Sequence, residues 1–172
     1  ARRDAGHPDG LEVTSPIDIK SVRELIGHFD KVVGVDFSGL PNLFVSASLD
    51  GKLIVWDAMT TFKKRAVKLS SPFVACTCFE KSSNALIASG GMDNLCSIYE
   101  ASLIDPGMPA SLANKPKAVL SGHQGYISGC CFFQGPSKIL TSSGDCSTNL
   151  WDVETARPLR TLKAHAAGVL AV

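Results

Sequence analysis

The stretch Ser46-Ala-Ser-Leu-Asp50-Gly-Lys-Leu-Ile-Val-Trp56-Asp57 reads as two short strands joined by a tight turn. Asp50-Gly51 supplies the turn, because glycine reaches the left-handed backbone region that a two-residue hairpin requires. The frame returns as Ser89-Gly-Gly-Met-Asp93-Asn-Leu-Cys-Ser-Ile-Tyr99-Glu100 and as Thr141-Ser-Ser-Gly-Asp145-Cys-Ser-Thr-Asn-Leu-Trp151-Asp152. Each time a hydroxyl residue stands four positions before an Asp and an aromatic six positions after it. The Asp positions are 43 and then 52 residues apart. Gly27-His28 stands 22 residues before Asp50, Gly122-His123 stands 22 before Asp145, and an altered copy, Ala164-His165, follows. Two independent spacings that agree to the residue establish an internal repeat.

Working outward, each unit shows four short strands divided by turn signals. The first predicts strands over 31–37, 43–48, 52–56 and 64–69. The second predicts 74–79, 86–89, 95–99 and 117–120, and the third 127–133, 138–142, 147–151 and 158–162. Four strands in about 43 residues form one blade of a β-propeller. The extra length of the second unit falls between Ala101 and Lys117, where Pro106, Gly107, Pro109 and Pro116 point to a surface loop.

The fold class is therefore all-β: a partial propeller of three four-stranded blades plus the start of a fourth. The expected boundaries are 28–69, 70–120 and 121–162 for the blades, with the next beginning over 163–172. Residues 1–21 form an N-terminal extension expected to be poorly ordered, and 22–172 the propeller. The segment 22–26 is expected to be an outer strand belonging to the last blade of a complete ring.

Composition narrows the function classes. The 172 residues are 45% hydrophobic and 19% charged, with a net charge of +1. That is globular composition without the basic field of a nucleic-acid binder. No apolar run is long enough for a membrane span, and no secretory signal is visible at the start. Six cysteines show no C-x-x-C and no His at zinc-ligand spacing, so they read as reduced, buried thiols of a cytosolic protein. No metal or cofactor is expected. The run Lys63-Lys64-Arg65 with Lys68 reads as a solvated strand edge.

The Gly-His opening, the Ser/Thr–Asp turn and the Trp-Asp close resemble the WD-repeat family of propellers. Gly90-Gly91-Met92-Asp93-Asn94-Leu95-Cys96-Ser97-Ile98-Tyr99 resembles the second blade of the β subunits of heterotrimeric G proteins. The 46–57 run and Gly122-His-Gln-Gly-Tyr-Ile-Ser128 resemble blades one and three. The resemblance covers roughly 22–172. It departs from the family in holding three blades rather than seven, in having Ala164 for the usual Gly, and in showing no heptads over 1–26 for a helix that pairs with a γ subunit.

His28, Ser46 and Asp50 have the residue types of a nucleophilic triad. The set recurs as His123, Thr141 and Asp145, and an enzyme needs only one. The expectation is a structural network in which imidazole bridges carboxylate and hydroxyl, and the hydroxyl meets the indole of Trp56 or Trp151. The second unit keeps Ser89, Asp93 and Tyr99, but Ser70 stands where the His should be, so this blade is expected to be less rigidly tied. No enzyme is expected. A hydrolase would lose activity on Ser46→Ala and keep its melting temperature; the structural reading expects the reverse.

Aromatic or Met residues on propeller loops are candidate anchors for partners, and Phe73, Met92 and Tyr126 occupy corresponding blade edges, with Lys31 beside them. The bland alternative is packing against their own turns. The resemblance implies that Lys31, Phe73, Met92, Asn94 and Tyr126 contact the switch region of a GDP-bound α subunit, where effectors compete. It implies that Phe29, Lys52, Ile54 and Lys63 face that subunit's N-terminal helix. The family usually has Trp at Phe73, Tyr at Val33 and an acidic contact at Gly168. The implied function is a G-protein β-like signalling subunit in the cytoplasm, reaching the inner face of the plasma membrane only through partners (α subunit, γ subunit, effectors). The alternative is a generic WD-repeat interaction scaffold, or a truncated fragment, without trimer assembly. Three blades cannot close a ring, so an open arc with apolar end faces is expected.

Overall fold

A computed structural model describes residues 20–101 and 114–172. The 101–117 connection and the N-terminal extension fall mostly outside the described residues. Among the described residues, twelve strands form three antiparallel sheets of four. The first sheet holds β1 (Val32–Phe37), β2 (Leu43–Ser48), β3 (Lys52–Asp57) and β4 (Lys63–Lys68) in sequential order. The second holds β5 (Val74–Phe79), β6 (Leu86–Gly91), β7 (Leu95–Glu100) and β8 (Ala118–Ser121). The third holds β9 (Ile127–Phe132), β10 (Lys138–Ser143), β11 (Thr148–Asp152) and β12 (Arg157–Leu162). Among the described residues there is no helix.

The three sheets share the same strand order and local turn features, as the repeat requires. A register shift opens the first strand of each, at Val32/Gly34, Val74/Cys76 and Ile127/Gly129, the last opposite Ser143/Ser142 of β10. The inserted residue bends the strand and raises its twist. Each central hairpin turns through a left-handed residue directly after its Asp: Gly51 (φ 74°), Asn94 (φ 62°) and Cys146 (φ 67°). Glycine and asparagine accept that region readily, whereas Cys146 carries a Cβ against it.

Packing between sheets explains the sequence pattern. Val45, Leu53, Val55 and Val67 of the first sheet meet Val74, Phe79, Ile87 and Tyr99 of the second. The opposite face of the second sheet, through Cys78, Leu86, Ala88, Cys96 and Ile98, meets Cys130, Ile139 and Trp151 of the third. The second sheet is thus covered on both faces, and every residue of β6 is buried. A strand buried on both faces reads as a continuous apolar or small-residue run rather than an alternation. The two end sheets each keep an open face. Val33, Val35 and Phe37 of β1 are exposed, as are Leu159 and Leu162 of β12.

Residues 22–26 have no ladder partner among the described residues, where the last blade expected to receive them is not present; Val22 and Ile26 stand 80% and 77% exposed. One expectation needs correction. The cysteines are free thiols but not uniformly buried: Cys131 is exposed, and Cys76 and Cys146 are partly so.

Candidate partner-binding face

Each of the first and third sheets carries a relay of buried polar groups. Asp50 accepts from His28 Nδ1 at 3.1 Å, His28 Nε2 lies 2.7 Å from Ser46 Oγ, and Trp56 Nε1–H donates to that hydroxyl at 2.8 Å. The third sheet repeats this with His123 Nδ1 to Asp145 at 2.8 Å, Nε2 to Thr141 Oγ1 at 2.8 Å and Trp151 Nε1 to Thr141 at 2.7 Å. The direction of the relay follows from donor and acceptor inventory. The indole can only donate, so the hydroxyl accepts from it and donates its own O–H to Nε2, which leaves Nδ1–H to donate to the carboxylate. Each hydroxyl thus serves two partners, the imidazole and the indole.

The carboxylates are held ionised. Burial pushes Asp145 up, but the Ser147 hydroxyl, the Gln124 amide and His123 outweigh it and hold its pKa well below the usual carboxylate range. Burial likewise opposes ionisation of Asp50, and the Phe29 amide, His28 and the Lys52 amide overcome it. Ser147 was not legible as a member of this network. Its Oγ donates to Asp145 at 2.5 Å and lies 3.3 Å from His123 Nδ1. It occupies the second position after an Asp, a spacing at which serine bonds locally.

In the second sheet the corresponding positions Ser70, Ser89, Asp93 and Tyr99 line one small pocket of about 20 Å³. This is space for a single water molecule. It lies where imidazole stands in the neighbouring sheets. Asp93 accepts from the Leu95 amide at 3.2 Å.

One main-chain hydrogen bond recurs in all three sheets and arranges the candidate contact residues. Lys31 C=O accepts from Leu49 N–H at 3.0 Å, Phe73 C=O from Met92 N–H at 2.9 Å, and Tyr126 C=O from Gly144 N–H at 2.9 Å. The residue entering each inner strand is thereby pinned beside the residue preceding each turn Asp. Lys31, Phe73 and Tyr126 therefore hold equivalent places at the same end of their sheets, with Met92 beside Phe73 and Asn94 in the turn. Phe73 and Met92 are 62% and 61% exposed. Close approach of backbones makes this possible: a Cβ at Gly91 would run into the Phe73 carbonyl. Tyr126 is half-buried, its ring lying where a Gly144 Cβ would be. For Tyr126, packing against its own turn is therefore part of its role.

A second group sits along the first sheet. Phe29 is 86% exposed with Lys52 Nζ 4.9 Å from its ring centroid, and Lys63 Nζ stands 5.8 Å from the Trp56 ring. These cation–π contacts set a basic, aromatic strip. Ile54 does not join it. At 1% exposed, between Ser46 and Ala66 in the ladder, it is part of the interior. Of the basic run, Arg65 is buried, with its guanidinium donating to the Glu100 carbonyl, so it ties the first sheet to the second rather than decorating an edge. Among the described residues no three His, Cys, Asp or Glu side chains converge to hold a metal ion, and no helix is long and apolar enough to cross a membrane.

Comparison with known proteins gives the same architecture. The family described as "WD domain, G-beta repeat" matches residues 19–57 and 114–152, the units that carry both His and Trp. The chain is 39% identical over 163 residues to a guanine nucleotide-binding protein subunit beta of Lymnaea stagnalis, covering 95% of this chain and 46% of that protein. It is 40% identical over 162 residues to subunit beta-1 of Drosophila melanogaster, covering 94% and 45%. The chain thus spans about half the length of these relatives. Among solved structures, U3-55K matches with a TM-score of 0.73 at 24% identity, over 87% of this chain and 44% of that one. The computationally designed Ika4 protein matches with a TM-score of 0.70 at 23% identity, over 90% and 86%. Likeness at such identity concerns the fold.

Proposed function

We propose a function on the premise that this chain belongs to the WD-repeat family and, within it, is G-protein-β-like: it is a non-enzymatic subunit that holds a GDP-bound α subunit on the turn side of its sheets. The observation that carries this reading is the repeated main-chain bond that fixes Lys31, Phe73 and Tyr126 at one end of the arc beside Leu49, Met92 and Gly144. Exposed aromatic and Met side chains on a rigid scaffold are the anchors from which interface energy is built. Asn94 and Lys31 add polar contacts. Phe29, Lys52 and Lys63 form a neighbouring surface for a helix of the same partner. The identity to β subunits across nearly the whole chain supports the choice of partner. Effectors compete for the same face after release, and a γ subunit and the plasma membrane are reached through assembly rather than through this chain alone.

The test is binding to an immobilised α subunit loaded with GDP or with a non-hydrolysable GTP analogue. Stronger binding to the GDP form is expected, and Phe73→Ala with Met92→Ala should weaken it by roughly thirtyfold or more if these are anchors of about 2 kcal/mol or above. Equal binding to both forms, or none, refutes the reading. That outcome would favour a generic WD-repeat scaffold, to which Phe73, Val33 and Gly168, each differing from the family's usual residue, already lend support.

A further inference from the structure

Four of the six cysteines converge on the seam between the second and third sheets. Cys78, Cys96 and Cys130 belong to its buried cluster and Cys76 packs against it. Cys76 follows the register shift at the start of β5, and its sulfur lies 3.8 Å from the Gly90 carbonyl oxygen, near where a Gly90 Cβ would stand. From there it reaches across the seam, and Cys76 Sγ lies 3.7 Å from Cys130 Sγ on β9. A disulfide requires about 2.05 Å, so the sulfurs need to close by about 1.7 Å, within the reach of side-chain rotation and a small backbone adjustment.

We infer that Cys76 and Cys130 are a peroxide-responsive thiol pair whose oxidation forms a disulfide stapling the second sheet to the third. The two members differ in the way such a pair requires. Cys76 is partly exposed and open to a small oxidant, whereas Cys130 is buried. Its contact with Cys130 holds the Cys76 thiol below its ordinary pKa, while Cys130 is pushed up by its three neighbouring thiols and by burial. The chemistry balances in two steps. The Cys76 thiolate attacks one oxygen of hydrogen peroxide, the O–O bond breaks, and with one proton taken up the products are the Cys76 sulfenic acid and water. Cys130 then attacks the sulfenic sulfur, the S–O bond breaks, and the Cys130 proton leaves with the hydroxyl as a second water. Two thiols are oxidised and one peroxide is reduced. The bond would join inner strands 54 residues apart and fix the sheets that carry Phe73, Met92 and Tyr126 relative to one another.

The experiment is peroxide treatment of the reduced, folded protein, followed by alkylation of remaining thiols and peptide mass mapping. Cys76 and Cys130 should lose alkylation together and appear in one linked peptide, two hydrogens lighter than its reduced parts and released by dithiothreitol. Cys131, exposed and outside the seam, serves as the internal comparison. The same treatment in denaturant should scatter linkage among the six thiols, and either Cys76→Ser or Cys130→Ser should remove the linked peptide. Oxidation of Cys76 to sulfinic or sulfonic acid with Cys130 still alkylated would overturn the inference. So would a dominant linkage of either residue to Cys78, Cys96 or Cys131. Because the map is read on the unsubstituted protein, neither result depends on a variant folding, nor on whether an α subunit binds.

Discussion

Thr141→Val isolates what the relay contributes. The substitution keeps the branched shape and removes one oxygen, from a residue with no exposed surface. That oxygen accepts from Trp151 Nε1 at 2.7 Å and lies 2.8 Å from His123 Nε2. Both partners are buried, Trp151 at 1% and His123 at 6% exposed. Water cannot replace the lost hydroxyl without a cavity, and an isosteric valine leaves none. Each stranded group costs about 1–3 kcal/mol, so the variant should lose roughly 2–5 kcal/mol. In a domain of this size each kcal/mol shifts the melting temperature by about 2–4 °C, giving a loss of about 4–20 °C. Urea unfolding followed by tryptophan fluorescence measures it directly, with the midpoint moving and the slope unchanged. Ser89→Ala is the internal comparison, since that hydroxyl faces the second sheet's pocket instead of a His–Trp pair; it should cost less than about 1 kcal/mol. A loss in Thr141→Val no greater than that of Ser89→Ala would refute the relay as a source of stability. A hydrolytic role for these triads would require, in addition, an activity that Ser46→Ala abolishes while melting is unchanged.

Ser70→His places imidazole at the pocket lined by Ser89, Asp93 and Tyr99, and one or two new hydrogen bonds should raise stability by about 1–2 kcal/mol in the same unfolding assay; an unchanged or lower midpoint would show that the pocket cannot accept the ring. Glu80, 1% exposed, accepts the amides and hydroxyls of Ser82 and Ser83, and although burial opposes ionisation those four donors hold its pKa down at about 2. A depressed carboxylate contributes stability that is complete above its unfolded pKa of about 4 and is lost as pH falls toward its folded value. Melting temperature should therefore drop between about pH 4 and pH 2, and Glu80→Gln should be less stable than the parent at pH 6 with the gap narrowing through that window; a constant gap would contradict the assignment. Cys146→Asn should stabilise by about 0.5–1 kcal/mol, because asparagine tolerates the left-handed backbone that Cys146 adopts at φ 67°; a loss on thermal melting would mean that the Cys146 side chain makes contacts outweighing its strain.

What the sequence discloses and what it withholds divide along a physical line. All twelve strands were legible within one or two residues, because the repeat supplies each unit three times and the turn chemistry at Asp50, Asp93 and Asp145 fixes the register of each hairpin. The positions of His28 and His123 were legible for the same reason, since a residue 22 places before a turn Asp in two units is positioned by the frame. Burial was not, because it depends on which sheet covers which. Ile54 lies in the same strand as Lys52 and two residues away, as an outward-facing partner of it would, yet it is sealed inside while Lys52 reaches out to Phe29. Residues 22–26 have strand-like composition but no strand beside them, and a strand without a ladder is only extended chain.

The seam between sheets is the clearest case. Cys76 and Cys130 stand in different units and at different steps after the local frame, so no spacing rule links them, and cysteine patterns that a metal or disulfide framework would show are absent. Their approach arises because β5 and β9 are the inner strands of adjacent sheets and because Gly90, lacking a side chain, leaves Cys76 space beside Ile127. A repeat protein is quasi-one-dimensional, so each sheet is legible from its own unit while the chemistry between sheets depends on pairs of units that vary independently. The scaffold that aligns Lys31, Phe73 and Tyr126 therefore follows from what the units share. The features that would distinguish this chain from its relatives, the pocket at Ser70, the strained turn at Cys146 and the thiol pair at the seam, follow from where the units differ.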